Sequence, residues 1–157
     1  MVSSVKPRAA FSLIEVMVTM TILGILLAFA SPSVTRSVEQ SHADLAGASL
    51  RSISSAQRFY WLENRTYASD IDDLITDELV DQELLNSARY EFSILSADAE
   101  AFTARARRRS FNEAGNAVYN GAWSGEFDID ETGEITGDVE GPYSALLGGN
   151  PQIQPGF

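Results

Sequence analysis

Fifteen consecutive uncharged residues, VMVTMTILGILLAFA from Val16 to Ala30, constrain this chain more than any other feature, with only Thr19 and Thr21 as polar interruptions. Ahead of them the leader MVSSVKPRAA carries Lys6 and Arg8 and no acid. A basic stretch followed by an apolar run outlines a membrane-targeting signal whose basic end stays in the cytoplasm. An ordinary secretory signal is one reading, because Ala28-Phe29-Ala30 has the A-x-A shape of a cleavage site. A plain anchor is another. At 1.5 Å per residue the run reaches only about 22 Å, against roughly 30 Å of hydrocarbon. The missing length must come from Phe11–Glu15, and that brings a carboxylate to the membrane. A charge at the centre of a membrane helix costs about 2.5–3.5 kcal/mol, so such a residue normally has a partner and a task. The plainer reading leaves Glu15 hydrated at the headgroup level.

The surroundings of Glu15 decide between these readings. Phe11-Ser12-Leu13-Ile14-Glu15 follows a short basic leader and opens an apolar helix that runs to Pro32. The whole segment from Phe11 to Pro32, with its fixed spacing of aromatic, acid, Gly24 and Pro32, resembles the type IV pilin superfamily, which includes type IV pilins and the pseudopilins of type II secretion. The resemblance implies cleavage between Ala10 and Phe11 by a membrane prepilin peptidase, followed by N-methylation of Phe11. The family usually has glycine before the cut, and here the residue is Ala10, the next smallest. The resemblance also gives Glu15 a role: it neutralises the new amino group of Phe11 on a neighbouring subunit during assembly. Both charges are desolvated when paired, so a wrongly registered subunit leaves one of them unpaired at a cost of several kcal/mol.

Beyond Pro32 the pattern stays helical. Val34, Val38, His42, Leu45, Ser49, Ile53, Ala56 and Tyr60 recur at steps of three or four, predicting one packed helix face. Pro32 should kink the helix, since it removes a backbone bond and clashes with the preceding turn. A helix from Phe11 to Glu63 would be about 80 Å long and would end at Asn64-Arg65-Thr66. Ser69-Asp70-Ile71-Asp72 reads as the cap of a short helix, with a second helical turn near Glu83–Leu85. Three alternating stretches come next: Tyr90, Phe92 and Ile94; Phe102, Ala104 and Ala106; Phe127 and Ile129, which turns at Glu131-Thr132-Gly133 into Glu134-Ile135-Thr136. Each has one apolar face, the signature of an antiparallel sheet covered on one side. The tail from Gly141, rich in glycine and proline, reads as loop.

Composition removes most catalytic chemistry. Cysteine is absent, and His42 is the single histidine. Thiolate sites, disulfides and a multi-histidine metal centre are therefore excluded. The formal charge is −11, a poor basis for general nucleic-acid binding. Arg105, Arg107, Arg108 and Arg109 form the one basic cluster that could meet DNA, but solvated strand residues facing acids on a neighbouring strand or subunit are the preferred reading. Asp128-Ile129-Asp130-Glu131-Thr132-Gly133 begins like an EF-hand loop, then fails where the bidentate glutamate should stand, at Val139. Asp128, Asp130 and Asp138 are left as weak calcium candidates, and a hairpin is preferred.

The expectation is an α+β, pilin-like fold: a long N-terminal helix packed on a small antiparallel sheet. Its segments are a cleaved leader at 1–10, a transmembrane and assembly helix at 11–32, an amphipathic continuation at 33–63 and a globular head at 64–157. It is expected to be no enzyme, and to need no cofactor unless calcium binds. The expected function is a structural subunit of a helical fibre, of the kind used in adhesion, motility or DNA uptake. A pseudopilin of type II secretion is the alternative, and a soluble secreted protein the second. As a subunit it would sit in the inner membrane as a single-pass protein, in contact with lipid, then pass to a pilus or pseudopilus at the cell surface or in the periplasm. Its expected partners are other copies of itself, the peptidase-methyltransferase and an inner-membrane assembly platform. Lys6 is the chain's single lysine. Intact-mass analysis should therefore show a lysine-free product lacking residues 1–10 and carrying one added methyl group, and retention of Lys6 would refute the assignment.

Overall fold

The computed structural model describes residues 12–109, 123–143 and 148–156, with backbone alone for 28–33. Two compact units emerge, one ending at Thr35 and one beginning at Arg36. A single helix, α1 (Leu13–Asn64), contributes to both. The helix assignment continues unbroken through Pro32.

In the first unit α1 is apolar all round. Leu13, Ile14, Met17, Met20 and Leu27 are all more than 60% exposed. The two polar interruptions do not break this character, because each threonine turns its hydroxyl onto its own helix. Thr19 Oγ1 donates to the Val16 carbonyl at 2.9 Å, and Thr21 Oγ1 to the Met17 carbonyl at 2.8 Å. A hydroxyl satisfied in this way costs little in an apolar setting.

The second unit is built on a five-stranded antiparallel meander, in the order β1-β2-β3-β4-β5. Its strands are β1 (Tyr90–Ala97), β2 (Phe102–Arg108), β3 (Ser124–Asp130), β4 (Ile135–Glu140) and β5 (Gln152–Ile153). Two short helices, α2 (Ile71–Thr76) and α3 (Gln82–Leu85), precede the sheet. Asp70 and Asp81 cap them by accepting from the backbone N–H groups of Asp72 and Glu83. The period-two patterns hold. Phe102, Ala104, Ala106, Phe127, Ile129 and Val139 are buried, while Arg105, Glu126 and Asp128 lie on the other face, consistent with cross-strand register. Leu50 and Ile53 of α1 join this core fully buried. Tyr90 stacks on Phe127 at 5.8 Å, and Tyr67 meets Phe102 at 4.9 Å.

From Arg36 to Ala46 the buried face of α1 is rotated from the expected stripe, which holds at Ser49, Ile53 and Ala56. Within the second unit it runs through Glu39, Ala43, Ala46, Leu50, Ile53 and Gln57, whereas Val38 and Leu45 are exposed. Two polar residues account for the rotation, since each is buried for its hydrogen bonds. Gln57 donates to the Ala68 carbonyl at 2.9 Å and accepts from the Ala68 N–H at 2.8 Å, bracing the loop after α1. That loop begins at Arg65, whose positive φ and N–H bond to the Trp61 carbonyl end the helix. The tail also departs from expectation. Gln152–Ile153 adds a short strand to β4, with Ile153 buried against Val139 in the register.

Gly125 on β3 and Gly137 on β4 allow the two strands to approach more closely than side chains would. A Cβ on Gly137 would stand 2.3 Å from the Glu126 carbonyl oxygen, and its φ is +94°. Both obstacles are backbone and cannot step aside. Gly137→Ala should therefore destabilise the second unit by about 2 kcal/mol or more, read as an earlier urea midpoint by fluorescence of the buried Trp123.

Candidate functional site

Of the residues expected to govern processing and assembly, Glu15, Gly24 and Pro32 lie along α1. Ala10 and Phe11 lie outside the described residues. Glu15 stands in the first turn of α1, exposed. Its N–H donates to the Ser12 carbonyl at 3.0 Å, and the Val16 N–H to the same carbonyl at 3.2 Å. A helix N-terminus carries partial positive charge, so an acid is favoured in that first turn. Gly24 is informative in a different way. A Cβ built on it would meet nothing within 4 Å. The described residues of this chain therefore give no packing reason for a glycine there. Pro32 lies within the helix assignment, on backbone that continues as α1.

The four clustered arginines do not share a surface. Arg105 is held on the outer sheet face by a bidentate pair with Asp128, at 2.7 Å for both bonds, and reaches Glu126 at 2.9 Å. The Asp128 hydrogen bonds raise its pKa further. Arg107 lies between Glu91 and Glu126 in the register. Arg108 points the opposite way and is buried. The expected solvated strand face thus holds for Arg105 and Arg107, and the picture of one four-arginine patch needs correction. Alternation along β2 turns Arg108 inward, while Arg109, just past the end of the strand, is exposed.

The calcium candidates are similarly committed. Asp128 is occupied by Arg105. Asp130 accepts from the N–H and hydroxyl of Thr132 in the β3–β4 turn, and the hydroxyl bond, foremost among several, lowers its pKa. Asp138 sits opposite Glu126 on β4. Among the described residues no three acidic or imidazole side chains are placed to hold a metal ion.

A buried ionic cluster joins α1 to the sheet, and local sequence patterns did not reveal it. The Glu39 carboxylate accepts from Arg108 Nε at 3.1 Å and Nη2 at 3.0 Å, and from Arg89 Nη1. The partners lie 50 and 69 positions along the chain. Tyr90, which precedes neither motif nor turn signal, buries its hydroxyl nearby without a hydrogen-bond partner among the described residues. Burial raises the Tyr90 pKa above its ordinary value. His42, one turn beyond Glu39, is half-buried. Burial first, then the Arg89 cation, lower its pKa below the ordinary 6.5; Glu39 pulls the other way and Arg108 lowers it further.

With this geometry in place, comparison with known proteins sharpens the reading of the N-terminus. Residues 5–31 match the family model described as the prokaryotic N-terminal methylation motif. The N-terminal segment therefore carries a methylation motif of the prokaryotic kind. Among curated proteins the chain is similar to "Type II secretion system core protein G" of Pseudomonas aeruginosa, at 36% identity over 64 residues. The match covers 41% of this chain and 45% of that relative, so the chain spans under half the length of the protein it matches. The motif and the relative together fit the fold: a long N-terminal helix with an antiparallel sheet, the α+β pilin-like arrangement.

The His42 shift generates a pH prediction. The folded state favours the neutral imidazole, so the unfolded chain takes up a proton near pH 6.5 while the folded chain resists it. The associated stability is complete above pH 6.5 and is lost as pH falls through the lower folded value. Urea unfolding should show this loss between about pH 7 and 5, and His42→Gln should flatten the profile there. An unchanged profile in the variant would mean that other groups govern this window.

Proposed function

We propose that the protein is a structural subunit of a helical fibre assembled from the bacterial inner membrane, cut between Ala10 and Phe11 and methylated on Phe11, with no catalytic role of its own. The observation that carries this reading is the methylation motif opening directly into an apolar helix. The helix surface from Leu13 to Leu27 is exposed on all sides within the chain. Such a surface needs lipid or other protein. Among the described residues no helix is long and apolar enough to cross a membrane. The membrane reading therefore rests on the run from Phe11 to Pro32 taken whole. Gly24, whose missing side chain serves no contact in the described chain, is suited to close approach by a neighbouring helix. Cleavage after Ala30, as an ordinary secretory signal requires, would cut into the continuous α1 assignment.

Between the two kinds of fibre, the similarity to a type II secretion core protein favours a pseudopilin. The absence of cysteine fits that choice, because many pilins close their C-terminal loop with a disulfide. An adhesive, motility or DNA-uptake pilus is the rival, and which neighbouring genes accompany this one separates the two. In either case the partners are further copies of this chain, the processing enzyme and a membrane assembly platform.

Glu15→Leu tests the assembly role. The substitution makes the helix more apolar, so membrane insertion should persist, and the cleaved bond lies several residues away. Each incoming subunit would then bury the Phe11 amino group unpaired, at about 3–5 kcal/mol. Processed, methylated, membrane-held subunits and few fibres are the expected result. Normal fibres by electron microscopy from the variant alone would refute the ion-pair role.

A further inference from the structure

Glu39 is the first buried residue of α1 in the second unit; Val38 and the two residues before it are exposed. From there to its end the helix divides into two parts by the way each is held. From Leu50 onward α1 is anchored by large, fully buried apolar side chains, Leu50 and Ile53, and by the buried Gln57 bracket. From Arg36 to Ser49 the buried apolar side chains are only Ala43 and Ala46. An alanine contributes little apolar area, so burial alone holds these turns weakly.

Polar contacts from both sides of the sheet make up the difference. On the β1–β2 side, Arg89 and Arg108 grip the Glu39 carboxylate. On the β5 side, the tail just beyond Gln152–Ile153 closes over the helix. Gln40 Nε2 donates to the Gln154 carbonyl at 2.6 Å, and the Gly156 N–H donates to Asp44 Oδ1 at 2.9 Å. Gln40 and Asp44 are themselves joined at 2.9 Å, so the tail clasps a linked pair. Hydrogen bonds and ion pairs are directional: once displaced they are lost abruptly, whereas apolar contacts tolerate sliding.

We propose that residues 36–49 of α1 form a releasable segment of the head, latched by Glu39 to Arg89 and Arg108 and by Gln40 and Asp44 to the tail, and able to leave the sheet while residues 50–61 stay docked. Release costs two polar latches, two alanines and the bond from the buried Ser49 hydroxyl to the Leu84 carbonyl, and leaves the core around Leu50 and Phe127 intact. The segment begins where the second unit begins, at Arg36, and residues 50–61 keep their register on the sheet when it is released. Both latches lie wholly within the head and operate whether or not the chain forms fibres.

Hydrogen–deuterium exchange of the full chain in detergent micelles tests the latch. Amides of residues 36–49 should exchange at least about tenfold faster than those of 50–61, as a separate opening unit. Glu39→Gln and Asp44→Ala should each speed exchange in 36–49 by a further factor of about ten, with 50–61, β3 and β4 unchanged. Asp44→Ala breaks only the tail clasp, so it stays decisive if Glu39→Gln fails to fold. Arg105→Gln, on the outer sheet face, should leave 36–49 unaffected. Equal protection across 36–61 in the unaltered chain, or acceleration spread evenly over the head in Asp44→Ala, would overturn the proposal.

Discussion

An apolar helix that the described residues of its own chain leave uncovered sets the terms for everything else in this protein. The side chains from Leu13 to Leu27 are exposed, and their two threonines are already satisfied by helix carbonyls. Nothing in that stretch draws on water except Glu15. Burying one leucine or isoleucine is worth about 1.5–3 kcal/mol, so the apolar residues here represent a large free energy that only lipid or other chains can supply. The remainder of the molecule has to keep such a helix addressable, oriented and attached to a stable folded body.

The body does this with a sheet covered on one face by the same helix. Leu50 and Ile53 meet a layer formed by Phe102, Phe127, Ile129 and Val139. Buried polar groups then fix register where apolar contacts alone would permit sliding. Gln57 brackets the Ala68 peptide, and Glu39 gathers two guanidinium groups. A buried ion cluster contributes less net stability than its short distances suggest, because three charges leave water. Its directional demands are what matter, since a one-turn slip of α1 would strand Glu39 away from both arginines.

How much of this was legible in the sequence depends on the distance between the cooperating residues. The apolar run and the period-two strands are local patterns, and each stands where the chain places it. The packed face of α1 was read correctly at Ser49, Ile53 and Ala56 but misplaced at Val38 and Leu45, which looked apolar, while the true face includes Glu39 and Gln57. Those two are buried for partners far along the chain or beyond the helix end, and no local period encodes such partners. Arg108 was hidden in a run of like residues. Its inward direction follows from alternation with Ala104 and Ala106, but four neighbouring arginines suggested one solvated surface. The β5 strand was concealed by the glycines and prolines around it; the pairing of Val139 with Ile153 is a tertiary fact.

The outer sheet face explains how so acidic a body remains compact. Loss of Lys6 and Arg8 would leave nine arginines against 22 acids. Arg105, between Asp128 and Glu126, and Arg107, between Glu91 and Glu126, place cations where like charges would otherwise stand side by side across three strands. Arg108 and Arg89 are spent on the interior carboxylate. Arg89, Arg105 and Arg108 are thus paired with acids within the head, and the excess of acids leaves its net charge negative. Negative heads repel one another at low salt, which works against cohesion between heads. In the proposed fibre the attraction would reside in the apolar helices, and Glu15, their one charged side chain, would be the point at which it could be made selective.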